Sequence, residues 1–395
     1  MERRPGTPSL LRELNDRAAL ELLLTGGPLT RAQLGEHTGL SKVTASQLLA
    51  RLEERGLIRV AGEQAGGRGP NAALYGVVPS AAYVAGLHVE HAEISAGVAD
   101  VTGHVISEVS VDPNDGQNPV ELVRGAVAAA CRPAGVSPDA LAAVVIGTPG
   151  VLDPRTGEPR LAANLPAWHE GVLQALRSDL GKPVRIENDV NLAATAERAT
   201  GAASGIDDFV LVWIGIGVGL AIVLGGRLHR GVAGAAGEIG YLPVPGVPLP
   251  VDVSHPATGA FQSLIGAQTL VPLAASYGFA EATSGAAVRA ASAAAAAGDE
   301  RGSAFLTELA GRVATGVASI CVVLDPGLVV LGGEVGLSGG AALAGRVAAE
   351  VGRISPARPQ VVPTIVTGDP VLCGAILAAV DQAREGLLAS VASPG

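Results

Sequence analysis

Cysteine is scarce in this chain. Its three copies, Cys131, Cys321 and Cys373, lie far apart and form no CxxC pair. That spacing excludes a disulfide framework and suits a reducing, cytoplasmic setting. Charge is sparse too, at 16% of residues, and lysine occurs only at 42 and 182. No stretch reads as a membrane span of ~18 uncharged apolar residues. The segment 209–224 is interrupted by Gly215, Gly217 and Gly219 and reads as strand, turn and strand. The start is charged and polar, so no signal peptide is expected.

Apolar residues are plentiful, at 48%, and 54 glycines accompany a heavy alanine content. Together these imply many turns and close helix packing rather than disorder. A chain of 395 residues has room for two or three domains and a large core. Its charge is unevenly divided. Residues 1–79 hold 10 Lys and Arg against 8 Asp and Glu, a net of +2, and the rest hold 17 against 29, a net of −12. A mildly basic head on an acidic body fits a protein that touches DNA with one end only.

The head carries the clearest local pattern. Residues 29–60 read as a helix-turn-helix. Thr30 caps a helix ending near Gly39, and Gln33 completes a capping box. Ser41 caps a second helix to Arg55, on which Ala45, Leu48, Leu49 and Leu52 form one apolar face. Ser41, Lys42, Val43, Thr44, Ser46, Gln47 and Arg51 fall on or beside the other face. They are small, polar or cationic, as a helix lying in a major groove requires. Residues 62–77 then read as a wing, a Gly-rich hairpin whose tip would place Arg68 in a narrow minor groove. A first helix is expected over 9–25, stopped by Gly26, Gly27 and Pro28. The expected winged helix-turn-helix spans 1–79.

From Ala81 the texture becomes α/β. Strands are expected near 83–89, 94–99 and 104–111, a helix at 118–131, and a buried strand entering a Gly/Pro loop over 142–157. A helix at 171–180 leads to a strand at 183–189 and a helix at 190–200. The run 209–230 repeats the early strand-turn-strand theme. Helices at 303–324 and 340–353 bracket a strand at 327–333. Two strand-rich halves with crossover helices imply two lobes with a cleft between them.

The motifs IGTPGVLDPRTG (146–157), NLPAW (164–168), IENDVNLAATAE (186–197), GIGVGLAIVLGGRLHRG (215–231), GAAGEIG (234–240) and LDPGLVVLGG (324–333) occur in one order. In this set the chain resembles the ROK family of repressors and sugar kinases, over almost its whole length. The resemblance implies an actin-like, ribonuclease H-type body over 80–395. Its lobes would be about 80–190 with the C-terminal helix, and 191–370. It also implies a sugar in the cleft and a homodimer or homotetramer. The winged head is the arrangement of the family's regulators.

The resemblance assigns residues as well. Asp189 matches the kinases' base, although a carboxylate there can equally hold a sugar that never reacts. Asn188, Asp189 and Glu238 match sugar contacts, and Gly150 and Asn164 lie on matching loops. Tyr241 stands in place of a histidine and Gln262 in place of a glutamate. The kinases' first phosphate loop reads Asp-x-Gly-Gly-Thr, whereas here His88, Glu90 and His91 take the corresponding places. Glutamate facing a triphosphate at ~4 Å costs about 4 kcal/mol at an effective dielectric of ~20. Ile216 replaces a threonine of the second loop. The family's zinc site needs that histidine and three cysteines, and 242–260 contains no cysteine.

The expectation is therefore a DNA-binding regulator, a repressor, acting on a palindromic double-stranded operator. Its body would sense a sugar or sugar derivative, with no catalysis, no cofactor, no metal and no membrane. Two alternatives stay open: an ATP-dependent sugar kinase with a DNA-binding head, and a ligand-free regulator controlled by a partner protein.

Overall fold

The computed structural model describes residues 8–65, 71–113, 118–161, 168, 171–253 and 258–391. The head comprises α1 (Pro8–Gly26), β1 (Leu29–Thr30), α2 (Arg31–Thr38), α3 (Lys42–Glu54), β2 (Ile58–Gln64) and β3 (Ala72–Val77). Thr30 Oγ1 accepts from the Gln33 amide while the Gln33 side chain reaches back to the Thr30 N–H, so the capping box forms as its residues dictate. Gly39 ends α2 at φ 69°, a left-handed turn that favours glycine. Ala45, Leu48, Leu49 and Leu52 are buried on α3, as the periodicity requires. β3 sits between β1 and β2 in a small antiparallel sheet.

The body holds two five-stranded sheets of like design. The first contains β4 (Tyr83–Val89), β5 (Ile94–Asp100) and β6 (Val105–Val111), then α4 (Pro119–Ala134) and β7 (Leu141–Thr148). A short hairpin, β8 (Val151–Leu152) and β9 (Pro159–Leu161), follows. After α5 (Val172–Leu180), strand β10 (Val184–Asn188) completes the order β10-β7-β4-β5-β6. Its first three strands are antiparallel, and β7 and β10 join in parallel.

Helix α6 (Asp189–Thr200) leads to the second sheet, which begins with β11 (Phe209–Ile214), β12 (Val218–Leu224) and β13 (Arg227–Leu228). Four helices follow: α7 (Gln262–Ile265), α8 (Ala267–Ser276), α9 (Ser284–Ala296) and α10 (Glu300–Leu324). Then come β14 (Leu328–Gly332), α11 (Gly333–Ile354), β15 (Gln360–Pro363) and α12 (Pro370–Val391). The sheet order is β13-β12-β11-β14-β15, again three antiparallel strands and two parallel ones. By length and composition α10 could cross a membrane, but its Phe305, Leu309, Val313 and Val317 are buried in the core against α9 and α11.

Helices α6 and α12 pack against each other between the two sheets. One apolar core joins Val84 and Val145 of the first sheet, Leu192 of α6, Ile376 and Ala379 of α12, and Leu211 and Val330 of the second. The approach is close enough to require glycine. A Cβ at Gly374 would meet the Leu192 carbonyl oxygen at 1.9 Å.

The far end of α12 belongs to the head. Leu388 and Val391 are buried with Leu20, Leu23 and Leu52, and the Arg55 guanidinium donates to the Ser390 carbonyl at 3.0 Å. A helix of 22 residues, ~33 Å long, thus runs from between the lobes into the core of the head.

Candidate functional site

The candidate residues gather in two places, the exposed face of α3 and the cleft between the sheets. On α3, Lys42, Val43 and Gln47 project into solvent, and Val43 is 68% exposed. Ser41 accepts the Thr44 amide as a cap and shares a 2.9 Å hydrogen bond with the Thr44 hydroxyl. Ser46 donates to the Lys42 carbonyl and accepts from Arg31 at 3.1 Å. Arg31, exposed on the first turn of α2, is a cation beside the exposed face of α3 that helical periodicity alone does not flag.

Arg51 is employed differently from the expectation. Its guanidinium forks onto Asp16 of α1, at 3.0 Å from Nε and 2.5 Å from an Nη, and Asp16 is buried. It clamps α3 to α1 instead of facing outward with Gln47. Arg68, expected from the sequence at the tip of a wing, lies outside the described residues.

In the cleft, β10 delivers Asn188 and Asp189 to the start of α6. Asn188 Oδ1 caps the Asn191 amide at 3.1 Å, and its Nδ2 donates to the Gly150 carbonyl at 3.2 Å. Asn188 and Gly150 are therefore brought together, with the asparagine holding the loop. Asp189 Oδ1 accepts from the Val190 amide at 2.8 Å. Burial raises the Asp189 pKa, opposed by the Val190 hydrogen bond and the His88 charge. Burial likewise lifts the Glu238 carboxyl, with help from the Asp189 charge, to about 7. The two carboxyls thus sense each other, and near neutral pH one of them keeps a proton part of the time.

The two departures among the family's sugar contacts both act on loops. Tyr241 donates its hydroxyl to the Val253 carbonyl at 2.5 Å, tying down the segment after GEIG. Gln262 is buried, accepts the Val218 amide at 2.8 Å and donates to the Ile216 carbonyl at 3.0 Å. Both ends of its amide fix the turn between β11 and β12, on which Ile216 is 75% exposed. Asn164 lies outside the described residues.

Where a phosphate loop would sit, β4 ends in a carboxylate-rich cavity of about 370 Å³ lined by His88, Glu90, Glu93, Trp213 and Asp369. His88 Nδ1 is 2.8 Å from Asp369 Oδ2, and its Nε2 is 3.6 Å from Glu90. Burial opposes the imidazolium, but the Asp369 hydrogen bond and the charges of Asp369, Glu90 and Asp189 prevail and raise the His88 pKa. Asp369 also accepts the Val371 and Leu372 amides, capping α12. The His88–Asp369 pair is invisible to sequence reasoning because 281 positions separate the partners.

These features define a class: a winged helix-turn-helix set on a duplicated α/β body with a polar cleft. The model of the ROK family matches residues 84–368, and that of the MarR family matches residues 14–69. The chain belongs to the ROK family, and its body has the actin-like fold of that family. It is 27% identical over 242 residues to the xylose repressor of Caldicellulosiruptor bescii, covering 60% of each chain. Against the Escherichia coli DNA-binding transcriptional dual regulator NagC it is 26% identical over 241 residues, 60% of this chain and 59% of that one. It thus spans about three fifths of the length of these relatives. The ROK hexokinase of Thermus thermophilus is 31% identical with a TM-score of 0.62, over 77% of this chain and 100% of the hexokinase. A ROK family transcriptional regulator, a homologue of the E. coli MLC protein, superposes over 97% of this chain and 99% of its own at TM-score 0.74. Its identity is 18%, so it speaks for the fold.

Proposed function

We propose that this protein is a transcriptional repressor whose ROK body binds a neutral sugar or sugar derivative without phosphorylating it. The observation that carries the reading is α12, which is capped by Asp369 beside His88 in the cleft and ends at Leu388 and Val391 in the core of the head. A ligand that alters the separation of the lobes acts on both ends of one helix. Repressor relatives with a similar body support the assignment.

On this reading residues 1–79 bind DNA and 80–395 form the sensing and oligomerising body. Two heads would dock on a palindrome in the cytoplasm, with Lys42, Val43, Thr44, Gln47 and Arg31 at the groove. Asp189 and Glu238 receive the sugar hydroxyls. Buried polar groups left unpaired are costly, so a hydroxyl-rich neutral ligand suits them. A hundredfold preference for one lobe arrangement shifts the DNA equilibrium by ~2.7 kcal/mol.

The hexokinase likeness and Asp189 favour a kinase as the second reading. Against it, Glu90, Glu93 and Asp369 line the place a triphosphate needs, and the exposed Ile216 offers no hydroxyl. The test is binding of the full chain to its own upstream DNA with a panel of sugars, alongside ADP release with ATP and Mg²⁺. Release from DNA by one sugar, lost in Asp189→Ala, supports the regulator. Sugar-dependent ADP release abolished by Asp189→Asn supports the kinase.

A further inference from the structure

Beside the β8–β9 hairpin lies a second cavity of about 370 Å³, distinct from the one at His88. It is lined by Arg155, Arg177, Arg185 and Arg230, with Asp153 and Glu187 as its carboxylates. Arg160 joins the group through Asp153, at 3.2 Å. Arg155 reaches the same Asp153 at 3.6 Å. Glu187, 3% exposed, is shared by Arg185 at 2.5 Å and by Arg230 at 2.7 Å. Its burial works against ionisation, yet Arg230 and Arg185 hold its pKa below the ordinary range. Arg177 donates through Nε to the Val184 carbonyl and has no carboxylate partner among the described residues.

Four guanidiniums therefore line the cavity against two carboxylates, a net charge of +2 in its wall within a chain whose total is −10. Packing does not need that excess. Arg185 and Arg230 suffice for Glu187, while Arg155 is 79% exposed and held by Asp153 only at 3.6 Å. Guanidinium forks match the paired oxygens of phosphate, and several converging on one cavity suit a dianion better than a monocarboxylate.

We propose that this cavity is an anion site that binds a phosphate monoester or free phosphate, beside the sugar cleft and separate from it. Asn188 lines the cavity and precedes Asp189, so the two sites meet at the start of α6. The inference does not depend on DNA binding or on a sugar in the cleft.

The experiment is calorimetry on the full chain with inorganic phosphate, glucose 6-phosphate, glucose and gluconate, at ionic strength held constant with chloride. Inorganic phosphate is expected to bind, and gluconate at least tenfold more weakly. Tenfold tighter binding of glucose 6-phosphate than of phosphate assigns the site to a sugar-borne ester, and equal binding assigns it to the free ion. The double variant Arg155→Ala, Arg177→Gln leaves the Glu187 pairs intact and should weaken phosphate at least tenfold. Asp189→Ala should leave phosphate binding unchanged. Undiminished binding in the double variant, gluconate binding as tight as phosphate, or no phosphate binding at 10 mM (on the order of the weakest binding of interest) overturns the proposal.

Discussion

Replacing Glu238 by glutamine should remove a pH dependence from the stability of the protein. In the folded chain the Glu238 pKa is raised from 4.5 to about 7, by burial first and by the Asp189 charge second. The sign follows from linkage. A group with a raised folded pKa contributes stability that is fully present below 4.5 and is lost as pH rises through about 7. At ~1.4 kcal/mol per pH unit, that gap amounts to at most ~3.5 kcal/mol. Glutamine keeps the shape and the neutral form at every pH. Urea denaturation of wild type and Glu238→Gln at pH 5, 6, 7 and 8 reads the difference directly (a pH series of about these values spans the window). Glu238→Gln should gain on wild type progressively from pH 5 to 7 and then level off. Asp189→Asn removes the neighbouring charge, so the Glu238 transition should move toward lower pH. A stability difference that stays constant over the whole series refutes the reasoning, because Glu238 would then titrate alike in the folded and unfolded chains.

Other consequences can be measured separately. Arg51→Ala strips the partner from buried Asp16 and should cost the head ~1–3 kcal/mol, with the salt dependence of DNA binding retained in the folded fraction. Gln47→Ala should leave stability near wild type and weaken specific DNA binding by ~1–3 kcal/mol in a gel-shift titration. Leu388→Ala cuts into the core shared by α12 and the head and should cost ~2–5 kcal/mol by denaturation. Purified protein should carry no stoichiometric zinc by elemental analysis, and chelator should leave its Tm unchanged, since Tyr241 stands in place of the zinc-site histidine and donates to the Val253 carbonyl.

The head was legible because its determinants are local. Thr30 with Gln33, Ser41 with Thr44, and the leucine spacing on α3 all act within a few positions. The strands of the first sheet were legible for the same reason, since Tyr83–Val89 and Ile94–Asp100 are apolar runs bounded by turns. The fates of single side chains were not. Arg51 is polar and sits beside the outward face, yet a buried carboxylate 35 positions away claims it. Gln262 has the chemistry of a sugar contact, yet its amide meets two backbone groups 44 and 46 positions upstream. Helix α9, mostly alanine, has too little contrast between its faces for periodicity to reveal which side Val288 and Ala291 bury.

His88 stands where the family's kinases carry the aspartate of their first phosphate loop. A glycine-rich loop with an aspartate leaves space and donors for phosphate. Here an imidazole occupies the end of β4 and pairs with Asp369, which also caps α12 through the Val371 and Leu372 amides. Pro370 follows at the first helical position, where its ring favours the turn and no amide is lost. The pair therefore joins a strand of the first sheet to the start of the helix that enters the head. If it transmits the ligand signal, His88→Ala should leave operator affinity without sugar within about twofold of wild type, because the head and its contacts with Leu388 and Val391 remain. The response to sugar should fall from a hundredfold change in operator affinity toward tenfold or less, a loss of ~1.4 kcal/mol of coupling. Calorimetry should show the sugar still bound, since Asp189 and Glu238 are retained. Full release from DNA by sugar in His88→Ala would show that the lobes communicate with the head by another route.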